Sequence, residues 1–269
     1  MPNSSSDSAP PPRLDIATRV TELWDELAGF PAAQFLESRD HLLKALCDLV
    51  DAQQADWIGV VRFASGAGND PMRGWRPRTV SAHNHLPEAG KVIEQAFAEM
   101  DRGEPDITTI RNVELAGQYR ALLLKDLATP EWFESASYRN HYLRLGRKDS
   151  IWAGIPVNEE VEVQIGLHRG PDQEGFSASD VEVVSRAVRG LKWFYRLQML
   201  GEGVGIASAP LTPTEGAVLS GVLQGLSEKQ IAAANGQSPH TTHDHIKSIY
   251  RKYGVSSRTA LMALWLHHM

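Results

Sequence analysis

Cysteine is nearly absent from this sequence. Cys47 is the sole thiol in 269 residues, which excludes an intramolecular disulfide and a thiolate zinc cage. No apolar run exceeds the seven residues from Ala260 to Leu266, whereas a membrane-spanning helix needs about 20. Met1 to Pro12 is rich in Ser and Pro and lacks the basic start and apolar centre of a signal peptide, so a disordered tail is expected there. No P-loop, Gly-rich dinucleotide motif, nucleophile elbow or HExxH occurs, and the acidic pair and strand-end Asp of phosphoacceptor domains are missing from Met1 to Trp57. His83 and His85 fall on one side of a strand but find no third ligand at a recognisable spacing. These absences point away from an enzyme, a metal, a cofactor and a membrane, and make a reducing cytoplasm the expected compartment.

What is present divides by charge. Lys and Arg number 27 against 33 Asp and Glu, a formal −6 that argues against a surface coated by nucleic acid. The acid is not evenly spread. Residues from 208 onward carry +2 and the preceding ones −8, so the acidic average conceals a mildly basic C-terminal part. The unpatterned segment Gly201 to Pro210, GEGVGIASAP, is the expected linker between residues 13–200 and 211–269.

Hydrophobic periodicity predicts helices over Leu14–Phe30 and after Pro31, the second with Phe35, Leu42, Leu46 and Leu49 on one face and Cys47 beside it as a small buried hydrophobe. The period changes to two at Trp57–Phe63 and again near Trp75–Ser81, with a loop over Ala64–Pro71 between them. Pro87–Met100 reads as a helix and Val113–Leu145 as a mostly helical stretch. Ile151–Val157 and Val161–His168 flank an Asn-Glu-Glu turn and read as a hairpin with one buried face. A long helix then carries the stripe Val181, Val184, Val188, Leu191 and Tyr195, longer than a small sheet needs for cover. Val184, Val188, Leu191 and Tyr195 are therefore candidates for pairing with a second copy.

The C-terminal part reads as four short helices. Thr212 with Glu215 forms a capping-box pattern, Ser227 caps the next helix, Asn235-Gly236 makes a turn, and Ser238-Pro239 opens a third helix rich in His, Lys and Arg. Two short helices joined by a tight turn make a helix-turn-helix arrangement. The residues Leu211-Thr212-Pro213-Thr214-Glu215, Gly225-Leu226-Ser227, Lys229-Gln230-Ile231-Ala232, Ser238-Pro239-His240-Thr241, His245-Ile246 and Ile249 to Val255 resemble the DNA-binding domain of LuxR/FixJ-type (GerE-like) transcription regulators, without a gap from Leu211 to Arg258. The resemblance implies a recognition helix from Pro239 to Tyr253 in the major groove of double-stranded DNA. It places His243, Asp244 and Lys247 at base-reading positions, and Ser238, Thr241, His245, Arg251 and Lys252 toward the phosphates. Asn235, Gln237 and Thr242 stand where the family has aliphatic residues, which leaves open a dimerising antagonist of another regulator with weakened DNA binding. In the last helix Leu261 and Leu264 are expected in the core, with Met262 and Trp265 left for a partner, so a homodimer is expected.

Upstream, Ser150 to Val157, Gly166-Leu167-His168 and Phe176 to Asp180 resemble the end of a GAF domain. The implied fold is α+β: a GAF/PAS-like antiparallel sheet with covering helices, followed by the all-α four-helix domain. Such domains hold small molecules between sheet and helices, which makes Trp75, Tyr119, Trp132, Tyr138, Tyr142 and Trp152 candidate pocket residues for a ligand of unknown identity. An acyl-homoserine-lactone receptor is the alternative, since Asp70-Pro71 and Trp75 resemble that branch, although Val61 stands where it has Tyr.

Overall fold

The computed structural model describes residues 15–63, 70–204, 209 and 211–268. The tail expected at 1–12 and most of the loop expected at 64–71 lie outside them. A five-stranded sheet organises the first two hundred residues: β1 Gln54–Arg62, β2 Trp75–His83, β3 Arg120–Leu123, β4 Asp149–Pro156 and β5 Val161–Arg169. Its order is β2-β1-β5-β4-β3 and every pairing is antiparallel. The expected hairpin is β4–β5, with Ile151 opposite Leu167 and Ile155 opposite Val163.

One face of the sheet is apolar. Ala55, Trp57, Val163, Ile165, Leu167, Ile151 and Ala153 pack under α1 (Ile16–Ala28), α2 (Phe35–Val50), α7 (Ala178–Arg189) and α8 (Lys192–Glu202) in one core. Cys47 is buried there, and burial pushes its thiol up to about 12. Burial is not confined to that face, however. Glu162, Gly166 and His168, three of the four alternate residues of β5, are also buried, because a second layer covers them. That layer comprises α3 (Ala89–Asp101), α4 (Ile107–Glu114), α5 (Leu124–Leu127) and α6 (Ala136–His141). Within the stretch expected to be mostly helical, β3 is the exception. Its four residues are too few for a period-2 pattern, and their place is set by pairing with β4.

The long helix expected before the linker is two helices. Trp24 Nε1 donates to the Ala187 carbonyl at 2.8 Å and Tyr195 Oη to that of Val188 at 2.9 Å, so two carbonyls at the end of α7 are turned to side chains. At the break, a Cβ on Gly190 would lie 2.9 Å from the Trp24 ring. Val184, Val188, Leu191 and Tyr195 are at most 1 % exposed in the core beneath α1 and α2. They offer no surface to a second copy, which corrects their assignment to dimerisation. The expected linker begins inside α8, which ends at Gly203 in the left-handed region (φ 71). Residues 205–208 and 210 of that linker lie outside the described residues.

The C-terminal helices are α9 (Pro213–Leu223), α10 (Glu228–Ala234), α11 (Pro239–Tyr253) and α12 (Arg258–His268). Their core of Val218, Leu219, Val222, Ile231, Ile246, Ile249, Tyr253 and Leu261 also takes in Leu200 from α8. Tyr253 Oη donates to the Leu200 carbonyl and Ser220 Oγ to that of Ala33, 2.8 Å away. Trp265 is buried against Tyr253, with ring centroids 6.0 Å apart, and is therefore not left for a partner; Met262 remains 38 % exposed. Among the described residues, no helix is long and apolar enough to cross a membrane.

Candidate nucleic-acid interface and sensor cavity

Each C-terminal helix starts on a built cap. Thr212 and Glu215 exchange hydrogen bonds between side chains and backbone, Ser227 and Gln230 do the same, and Ser238 Oγ accepts from the Thr241 N–H at 3.1 Å. Pro239 supplies the first position of α11, where a missing N–H costs nothing. Gly236, at φ 62, makes the turn between α10 and α11. Arg258 closes α9 by donating to the Leu226 and Val222 carbonyls.

These caps fix one exposed stripe on α11. His240, Asp244, Lys247 and Arg251 recur at three- and four-residue spacing and are all exposed, with Ser238 and Thr241 exposed at its start. His240 Nε2 sits 3.7 Å from Asp244 Oδ2, and Arg251 Nη2 donates to Ser248 Oγ at 3.3 Å. His243 and His245 are half-buried, His243 with Nδ1 3.2 Å from both Glu228 oxygens. Lys252 departs from its expected role. Its Nζ lies 2.6 Å from Glu215 Oε2, inside a junction where Ser248 Oγ and the Thr212 N–H also donate to that carboxylate. Burial alone would raise the Glu215 carboxyl, but Lys252 and these donors hold it at about 2.

The turn accommodates its polar residues. Thr242 is fully buried and its hydroxyl donates to Gln237 Oε1 at 3.4 Å, while Asn235 and Gln237 are half-exposed. No unpartnered hydroxyl is therefore left where the family carries an aliphatic side chain.

A cavity of about 120 Å³ lies between the polar face of the sheet and the second helical layer. Its apolar wall comes from Ile58 and Val80 on the sheet and from Val92, Ile93, Ala96, Phe97 and Met100 on α3; Leu145 completes it. Polar groups converge from Asp56, Arg147, Asp106, Ser137, Thr109, His141 and Tyr142. Arg147 makes a two-pronged bond to Asp56 at 2.9 and 3.1 Å, and His168 Nε2 approaches the same carboxylate at 2.9 Å. Burial would raise Asp56, but Arg147 and His168 hold it well below the ordinary carboxylate range. Burial and Arg147 together push His168 down to about 4, so at neutral pH it is uncharged. The neutral ring then donates from Nε2 to Asp56 and accepts at Nδ1 from Ser150 Oγ, 2.7 Å away. This Ser-His-Asp chain is not a hydrolase centre. Ser150 and His168 are at most 1 % exposed and neither lines the cavity, so no substrate reaches the hydroxyl.

Of the six aromatic residues expected in a pocket, Tyr142 and Trp152 line this cavity. Trp152 Nε1 donates to Tyr142 Oη at 3.1 Å, and among the described residues no acceptor takes the hydroxyl's own hydrogen. Trp132 and Tyr138 stand one layer back, Trp132 donating to Asp106 at 2.8 Å and Tyr138 to the Lys148 carbonyl at 2.8 Å. Trp75 packs with Val60, Met72 and Val113, and Tyr119 lies against Arg189. Asp70 accepts from the Met72 and Gly74 N–H groups and from Arg76, so it closes its own loop and does not reach the cavity. Asp56, Arg147 and Asp106 escaped the sequence reading. A lone Asp between Ala55 and Trp57 was the available signal, a buried charge on the strand face turned away from the apolar core. His83 and His85 turn to different partners, Asp40 and Asp56, and among the described residues no group of three or more His, Cys, Asp or Glu is placed to hold a metal ion.

Residues 209–265 match the family model described as bacterial regulatory proteins, luxR family. The response regulator Rre1 of Synechocystis sp. is 30% identical over 100 residues, 35% of this chain and 41% of its own length. The transcriptional regulatory protein MctR of Rhizobium johnstonii is 34% identical over 70 residues, 26% of this chain and 33% of its own length. The chain thus spans less than half the length of these curated relatives. Among solved structures, SdiA in complex with octanoyl-rac-glycerol superposes with a TM-score of 0.46 at 13% identity, covering 94% of each chain. The VqsR LBD domain from Pseudomonas aeruginosa gives 0.43 at 12% identity, covering 68% of this chain and 94% of its own.

Proposed function

With residues 209–265 forming a luxR-family helix-turn-helix domain, we propose that this protein is a sequence-specific, DNA-binding transcription regulator whose sheet domain, residues 13–200, senses a small molecule. The observation that carries the DNA reading is the exposed stripe His240, Asp244, Lys247 and Arg251 on a helix capped by Ser238. A helix presenting these groups suits the major groove, with the free N–H groups at its start available to a phosphate. The partnered Thr242 argues against a domain that has lost DNA reading, and so against the antagonist alternative. A net +2 on this part is a weak field for DNA, which favours two readers acting together as a homodimer. Exposed Met262 on α12 is the residue that remains for such pairing. The protein acts in the cytoplasm and is not an enzyme.

The sensing role rests on the cavity between sheet and α3. At about 120 Å³ it is close to a cavity of roughly 150 Å³ that holds benzene and below the ~300 Å³ of drug-sized sites. It suits a small aromatic or short acyl group whose polar end takes the Tyr142 hydroxyl hydrogen. Asp70 and Trp75 stand outside it, so no residue that prompted the lactone reading touches this ligand.

Selection from fragmented genomic DNA, followed by anisotropy titration across salt, tests the regulator reading. Fragments should be enriched, and their affinity should fall steeply as salt rises. Absence of salt-dependent binding to any fragment overturns it.

A further inference from the structure

The open edge of the sheet faces the helix-turn-helix domain. β2 is an edge strand, and its consecutive residues Arg78, Thr79, Val80 and Ser81 all line one cleft of about 610 Å³. Consecutive strand side chains point to opposite faces, so a wall made by all four is the strand's free edge and not a face of the sheet. The direction of its backbone groups follows from β1. Phe63 N–H donates toward β2, to the Gly74 carbonyl, and Arg62 N–H donates the other way, to the Glu160 carbonyl just before β5. Odd-numbered residues of β1 therefore serve β2. Gly59–Thr79 and Trp57–Ser81 are then the bonded pairs, and the N–H and C=O of Val80, opposite Ile58, point outward. Among the described residues no other backbone group bonds to either. Across the cleft stands α9, with Gly216, Ala217 and Ser220 lining it. None of these carries a long side chain, so the slot between strand and helix has room for a backbone. Phe35 and Leu36 on α2 and Leu211 before α9 add apolar surface, and Leu36 is exposed.

We propose that this cleft binds an extended peptide segment of another protein, which pairs with β2 as a sixth strand. The segment's backbone takes the outward N–H and C=O of Val80, and apolar side chains at every second position meet Phe35, Leu36 and Leu211. An edge strand calls for a peptide backbone in particular, because its donors and acceptors repeat at the spacing of another strand. Since α9 belongs to the helix-turn-helix domain, a partner seated here touches both domains at once.

Fluorescein-labelled Lys-Thr-Val-Thr-Val-Thr-Lys, titrated by anisotropy into the full chain with hydrogen exchange on the complex, tests this. Binding should protect β2 and α9 together. Alternate amides of a strand point to opposite edges, so a peptide methylated on its Val amides and one methylated on its Thr amides should differ at least about tenfold in affinity. Val80→Pro deletes an outward N–H, at a kind of position that Pro77, opposite Val60, already occupies in this strand. It should weaken the unmodified peptide about tenfold. Gly216 lines the cleft and a Cβ there meets nothing within 4 Å, so Gly216→Ala should fold and bind normally while Gly216→Leu fills the slot and abolishes binding. Equal affinity of the two methylated peptides, unchanged affinity in Gly216→Leu, or no binding at millimolar peptide overturns the proposal. So does self-association of the chain through this cleft, abolished by Gly216→Leu, which would give the edge to a second copy.

Discussion

Arg120 on β3 reaches over β4 to Glu162 on β5, closing a two-pronged ion pair at 2.7 and 2.9 Å directly above Gly154. A Cβ on Gly154 would stand 2.4 Å from the guanidinium. An arginine head elsewhere swings aside cheaply, but this one is also held by Asn112 Oδ1 at 2.5 Å, and Glu162 is fully buried.

Gly154→Ala should therefore cost as much as breaking the pair itself, about 3–5 kcal/mol. Glu162→Ala, which strands the buried guanidinium, should cost a similar amount, and Gly154→Ala in that background should add little. Urea melts of the two single variants and the double variant measure the coupling.

His168 makes the sheet domain sensitive to mild acid. Its pKa, near 6.5 when unfolded, falls to about 4 in the fold, so the unfolded chain binds the extra proton between those values. Stability should decline as pH drops from about 6.5 to about 4, by at most about 3 kcal/mol. His168→Gln retains a donor toward Asp56 without titrating. Chemical denaturation of this variant across that window should show a flatter profile, at a constant offset for the lost Ser150 contact.

The capping boxes, the β4–β5 register and the helix-turn-helix were legible in the sequence because each rests on residues close in the chain. Thr212 and Glu215 are three apart, and Val161 to Leu167 alternate without interruption. What escaped was set by distant partners. Tyr195 and Trp24 divide α7 from α8 by taking the Val188 and Ala187 carbonyls, which no local pattern encodes. The apolar stripe from Val184 to Tyr195 was visible, but its destination was not. A stripe states that a face is buried, not whether its own sheet or a second chain buries it. Likewise Asp56 meets Arg147 from 91 positions away, so the polar side of the cavity has no contiguous motif.

Glu215 should govern the acid stability of the helical domain. Its carboxyl sits near 2 in the fold against an ordinary value above 4, so its contribution is complete above the ordinary value and is lost as pH falls toward 2. Glu215→Ala removes the carboxylate half of the α9 capping box and the acceptor that Ser248 and Lys252 share, an expected loss of about 2–4 kcal/mol at neutral pH. Lys252→Ala should also destabilise this domain. Thermal melts of the three proteins at neutral pH and at pH 3 should show the gap between wild type and Glu215→Ala narrowing in acid.

Lys247 and Arg251 occupy one exposed stripe of α11, yet they should fail differently when removed. On the proposed function Lys247, one turn after Asp244, donates to guanine O6 and N7, and Lys247→Ala should then cost about 1–3 kcal/mol on the selected site and little on competitor DNA. Arg251 lies in the last turn of α11 and, on the same proposal, meets the phosphate backbone. Arg251→Ala should weaken all sequences alike and lower the slope of log affinity against log salt by about 1. Asp244→Asn removes the one carboxylate of the stripe and should strengthen non-specific binding, since Asp244 repels phosphate wherever the helix lands. Anisotropy on specific and scrambled duplexes at several salt concentrations separates the three outcomes. Equal losses on both duplexes for Lys247→Ala would move this residue from reading bases to holding the backbone.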